Sequence, residues 1–78
     1  MVKDFYSRKT AAIQQVENIL RDLTARGQTA DENILLLELN RTTGFSSLLK
    51  KHISALIASG RVTLTFDSAG ARRLTWVP

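Results

Sequence analysis

Between Ser46 and Ser54 the chain reads Ser-Ser-Leu-Leu-Lys-Lys-His-Ile-Ser, so hydroxyls and amines recur at spacings of three and four residues. On a helix, that spacing gathers Ser47, Lys51 and Ser54 on one side with Lys50 on its flank, and no acidic residue falls among them. Such a face suits an anion, because ammonium groups and small hydroxyls donate hydrogen bonds to phosphate-like oxygens. Arg41 lies just before this segment, Arg61 just after it, and the pair Arg72-Arg73 near the end of the chain. From Met1 to Leu39 five basic side chains stand against six acidic ones, net −1, whereas from Asn40 to Pro78 six stand against Asp67 alone, net +5. The overall +4 is therefore concentrated in one half, as expected for a face that meets a polyanion.

Other chemistries lack their residues. There is no cysteine, so no disulfide, thiolate metal site or cysteine nucleophile is available. His52 is the single histidine and has no second ligand at metal-binding spacing; at the edge of an apolar stripe it is expected to flank the core. Asp31 and Glu32 are adjacent carboxylates best explained as first-turn charges at a helix start. With no glycine-rich phosphate loop either, no enzymatic activity, cofactor or metal is expected. Seventy-eight residues allow one domain with a thin core, and 44% apolar with 23% charged residues is the balance of a folded chain. Apolar runs such as Ile34 to Leu37 are too short for a membrane span, and Asp4, Arg8 and Lys9 break up any apolar leader. The expected location is the cytoplasm, in association with the nucleoid.

The elements that must position these residues follow from hydrophobic period. Ile13, Val16, Leu20 and Leu23, with Ala12 and Ile19, recur at helical spacing and predict an amphipathic helix of about four turns. It begins between Asp4 and Thr10, with Asp4 or Ser7 as cap, and stops at Gly27. Residues 1–10 are then a flexible or self-associating arm, and Phe5 and Tyr6 either extend the apolar face or mediate self-association. Thr29 and Glu32 fit a capping box for a second helix, whose Ile34, Leu35, Leu36, Leu37 and Leu39 suggest packing on two sides up to Gly44. Ser46 or Ser47 caps a third helix that runs to about Ser59 and buries Leu49, Ile53, Leu56 and Ile57. After Gly60 the period falls to two: Val62, Leu64 and Phe66, then Asp67-Ser68-Ala69-Gly70, then Leu74 and Trp76 predict a two-stranded hairpin. Trp76 is expected to pack in the core rather than offer a stacking platform.

Two short helices around Thr43-Gly44-Phe45-Ser46, the buried positions Leu49, Ile53 and Leu56, and the passage Ser59-Gly60-Arg61-Val62 into an Arg-bearing hairpin resemble the winged helix-turn-helix family of DNA-binding domains. The resemblance covers roughly Ala11 to Val77. It implies an α+β fold, a three-helix winged helix-turn-helix with a C-terminal two-stranded β-hairpin wing, as a single domain over residues 1–78. It also implies binding of duplex DNA, selective for sequence or shape, by a small transcriptional or replication regulator. The third helix would enter the major groove through Ser46, Ser47, Lys50, Lys51 and Ser54, and Arg72 and Arg73 at the wing would take a narrow minor groove or flanking phosphates. Arg41 and Arg61 would be backbone contacts. Without Asn, Gln or Arg on the helix face, little bidentate base reading is available, which favours shape over sequence. Four to six neutralised phosphates would give log affinity a slope near −4 to −5 against log salt. A homodimer, if one forms, is expected through the first helix. The alternatives are a winged-helix module that binds a protein partner within a larger complex, and structured-RNA binding.

Overall fold

A computed structural model describes residues 2–78, with side chains from Phe5 onward. The chain runs α1 (Val2–Ala25), β1 (Ala30–Asp31), α2 (Glu32–Thr43), α3 (Ser46–Ala58), β2 (Val62–Phe66) and β3 (Arg72–Trp76). Three helices thus pack with a three-stranded antiparallel sheet of order β1-β3-β2, an α+β architecture.

The first helix is longer than its apolar period predicts. It is already helical at Val2, upstream of both expected caps, and its 24 residues extend about 36 Å. Residues 5–10 therefore belong to a continuous helix, while the side chain of Asp4 lies outside the described residues. The period detects only the stretch that packs: Ala12, Val16 and Leu20 are buried, whereas Phe5 and Tyr6 are exposed. Their rings still meet edge to face at 5.7 Å, and Phe5 meets Phe45 in the same way at 5.7 Å. This holds the first turns of α1 against the α2–α3 turn.

The hairpin carries an unexpected third strand. Ala30 and Asp31 pair with Leu74 and Arg73, so the edge of β3 that a two-stranded wing would leave open is occupied. Two residues carry no period, and their strand character follows from the small Ala30 side chain slotting into the core beside Leu74. On the other side β2 pairs with β3 from Val62↔Trp76 to Phe66↔Arg72. The connection folds around Asp67, whose Oδ1 accepts the amides of Ala69 and Ala71 at 2.9 Å, and Gly70 takes the positive φ of 80° that a side chain would resist.

Helix starts differ from the expected caps. Asp31, not Thr29, is the N-cap of α2, its Oδ1 accepting the Ile34 amide at 3.1 Å. Neither serine caps α3; Phe45 holds the N-cap position without a side-chain hydrogen bond, and Ser46 is the first helical residue. Gly44 at φ 74° closes α2, its amide donating to Asn40 O at 3.0 Å, and Thr43 Oγ1 accepts the Phe45 amide. These bonds fix the sharp turn that brings α3 across α2.

The core collects Ala12, Val16 and Leu20 from α1, Leu35 and Leu39 from α2, Leu49, Ile53 and Leu56 from α3, and Ala30, Val62 and Leu74 from the sheet. The stripe Leu49, Ile53, Leu56 is buried as its spacing predicts, with Ile57 at its margin. The leucine-rich run of α2 is not packed on two sides: Leu35 and Leu39 are buried, but Ile34 and Leu37 remain 62% and 61% exposed. Trp76 packs against the core, its amide donating to Thr24 Oγ1 at 2.8 Å and Arg21 lying 4.6 Å over its ring. Among the described residues no helix is long and apolar enough to cross a membrane.

Candidate nucleic-acid interface

Burying Leu49, Ile53 and Leu56 fixes the rotation of α3 and turns its other side outward. Ser47, Lys50, Lys51 and Ser54 are all exposed there, together with Ala55 and Ala58. Ser46 is half-buried at the helix start. No acidic residue stands in the first turn of α3, or anywhere between Phe45 and Val62. The rotation is fixed on its other flank as well. His52 lies half-buried with Nε2 2.8 Å from Glu17 Oε2 on α1, a bond that ties the two helices where the apolar stripe ends.

The basic residues divide by partner. Arg21 pairs with Glu17 and Arg41 with Glu38 along their own helices, at 3.5 and 3.6 Å, and Arg26, just past the end of α1, pairs with Asp22 at 3.2 Å. Lys50, Lys51 and Arg61 form no ion pair with any described residue. They are all exposed, on α3 and at the step from α3 into the sheet. Arg41 is exposed in the last turn of α2 but shares its charge with Glu38.

Arg72 and Arg73 are not at the tip of the hairpin. Both guanidinium groups lie at the opening of α2. Arg72 donates from Nε and Nη2 to the two oxygens of Glu32 at 2.9 and 3.1 Å, a bidentate pair closed around a carboxylate that is only 4% exposed. Arg73 donates to Thr29 Oγ1 at 2.9 Å and to Thr29 O at 3.0 Å, and stands 3.7 Å from Asp31 Oδ2. Opposite strand parity sends the two arginines to different faces, yet β1 and the start of α2 wrap the edge of β3 and supply acceptors on both. The tip itself, Asp67 to Gly70, carries an acid and no cation.

The candidate residues therefore fall into two sets. The structure brings Ser47, Lys50, Lys51 and Ser54 together, with Ser46 and Arg61 at the margins. It takes Arg72 and Arg73 into internal bonds, and Glu32 from a simple first-turn charge into a buried ion pair. The signal for that pair was present in the sequence: Arg72 shares the inward parity of Leu74 and Trp76, and an inward arginine needs a carboxylate. Among the described residues no group of three or more His, Asp or Glu gathers as a metal site would, and no buried side-chain nitrogen or oxygen lacks a partner. Compared with protein-family models, curated proteins and solved structures, the chain matches none.

Proposed function

We propose that the chain is a winged helix-turn-helix domain that binds duplex DNA with α3 in the major groove, and serves as a small transcription or replication regulator. The observation that carries this reading is the distribution of unpaired charge. Five arginines have a carboxylate within 4 Å; of the cations that have none among the described residues, Lys50, Lys51 and Arg61 lie on or beside one helix face, and Arg8 and Lys9 lie on the first turns of α1. A solvated surface with no partner to meet gains by interleaving opposite charges; the outward face of α3 carries cations, hydroxyls and alanines but no acid. The order helix, short strand, helix, tight turn, helix, hairpin supports the winged-helix assignment. In this reading Ser46 and Ser47 hydrogen-bond phosphates at the start of α3, and Lys51, central on the face with small residues around it, reaches deepest. Readout is by shape and backbone, since the face offers no Asn, Gln or Arg for bidentate base contacts.

The test is fluorescence anisotropy of a labelled random-sequence duplex at a series of salt concentrations. Three cations taking phosphates give a slope of log affinity on log salt of about −3, and Lys51→Ala lowers its magnitude by about one unit without loss of helical signal. Duplex affinity indifferent both to salt and to K51A would falsify the reading.

A protein partner is the second reading, and one feature favours it. Ile19 and Leu23 of α1 and Ile34 and Leu35 of α2 line an open apolar groove of about 370 Å³ on a face that α3 does not share. Binding that ignores salt but falls on Ile34→Ser would select it.

A further inference from the structure

We propose that the duplex-binding surface does not end with α3 but continues onto the first turns of α1, where Arg8 and Lys9 take backbone phosphates. The inference rests on the duplex-binding reading of α3 and adds two contacts that the turn and recognition helix alone do not supply.

Three observations lead to it. First, Lys9 lines the same open hollow of about 270 Å³ as Ser47 and Leu48, beside Gly44 and Phe45. Ser47 and Lys51 are one turn apart on the outward face of α3, so the serine that shares a hollow with Lys9 also belongs to the face that carries Lys51. Second, Arg8 lines the neighbouring hollow of about 210 Å³ with Thr42, Thr43 and Phe45, at the closing turn of α2. Among the described residues neither hollow has a carboxylate in its lining. Counting Lys3 and Asp4, the first ten residues still carry net +2, against −1 for the whole stretch from Met1 to Leu39. Third, these cations are not on a free tail. Phe5 sits one helical turn before Lys9 and packs edge-on against Phe45 with ring centroids 5.7 Å apart, so the helix delivers Arg8 and Lys9 to the turn already ordered.

The chemistry of this strip is that of a phosphate backbone rather than of an acidic protein surface. Thr42 and Thr43 donate their hydroxyl protons to the carbonyls of Glu38 and Leu39, so Ser47 is the hydroxyl donor between the cations, and a run of regularly spaced anions would meet α1, the turn and α3 in succession. The residues that read as an arm for self-association become, in this assignment, the outer rail of the duplex interface.

Salt dependence separates the two surfaces. With five cations engaged the full chain has a slope of about −4 to −5; with Lys50, Lys51 and Arg61 alone it is about −3. Arg8→Gln/Lys9→Gln, in which glutamine keeps helix propensity, should lower the magnitude of the slope by about two units, and the exchange Arg8→Lys/Lys9→Arg should restore it. Circular dichroism of each variant checks that the helices persist. A wild-type slope near −3 that R8Q/K9Q leaves unchanged overturns the extension while leaving α3 as a duplex-binding helix. Absence of any salt-dependent duplex binding by the wild type removes the α3 reading itself, and the extension with it.

Discussion

The outward face of α3 and the corner where β3 meets the start of α2 are the two basic regions of the C-terminal half, and they treat charge in opposite ways. At the corner, each arginine is matched: Arg72 grips Glu32 with two bonds, and Arg73 is held by Thr29 and Asp31. Acceptors 40 residues or more away in sequence were brought there by the extra strand β1, so these cations act within the fold. On α3 the lysines meet no described acid and the helix start has no side-chain cap. A basic count cannot separate the two regions. What separates them is whether the fold has already supplied the anion, and that sorts the cations into those that hold the domain together and those left for a partner.

The largest expected effect is at the matched corner. Glu32 is only 4% exposed, while the side chain of Arg72 is 40% exposed. The two truncations are therefore unequal. Arg72→Ala leaves a buried carboxylate without its donors and should cost about 3 kcal/mol of unfolding free energy. Glu32→Ala leaves a guanidinium that water can reach and should cost about 1 to 2 kcal/mol. Urea unfolding of both variants measures the difference. Equal losses would mean that Glu32 is hydrated in solution and the corner is looser than its geometry.

The turn that sets α3 relative to α2 gives the intermediate effect. Gly44 has φ 74°, and a Cβ built there meets no atom within 4 Å, so Gly44→Ala tests backbone strain with no steric clash added. The cost should be about 1 kcal/mol by thermal or urea unfolding, with the salt slope of duplex binding unchanged because no charge is moved. A loss of several kcal/mol would show that the turn also repacks, and that the presentation of the α3 face depends on it.

The parts of the molecule legible in the sequence are those with a period. The buried stripe Leu49, Ile53, Leu56 fixes the rotation of α3, so the exposure of Ser47, Lys50, Lys51 and Ser54 follows from spacing alone. The three helices, the order of the elements and the hairpin follow in the same way. What has no period was not legible. β1 is two residues long, and the first two turns of α1 reach beyond the buried face, so nothing repeats there to be read. The observed caps differ from those that local spacing predicts for a related reason. Thr29 and Glu32 match the capping-box spacing, but each is taken by an arginine from β3, and a long-range bond leaves no trace in local spacing. The apolar run of α2 differs in the opposite direction, because composition cannot tell that Ile34 faces an open groove and that Leu37 is exposed instead of meeting a second packing layer.

The smallest effect is also the sharpest test of the contrast. Arg73 was the arginine that strand position alone would send to a nucleic acid, and its removal would then lower the magnitude of the salt slope by about one unit. In the structure its guanidinium already donates to Thr29 Oγ1 and Thr29 O at 2.9 and 3.0 Å, and the nearest Asp31 oxygen is 3.7 Å away. These bonds lie near the surface, where one ion pair and its hydrogen bonds contribute little, so Arg73→Ala should cost only about 0.5 to 1 kcal/mol. The salt slope should stay the same within error, because a cation that already has its anion releases no counterion from DNA. A small stability loss with a constant slope assigns Arg73 to the fold. A drop of one unit with stability unchanged would mean that Arg73 leaves Thr29 for a phosphate in the complex, and the line between matched and unmatched cations would then run through β3 instead of between β3 and α3.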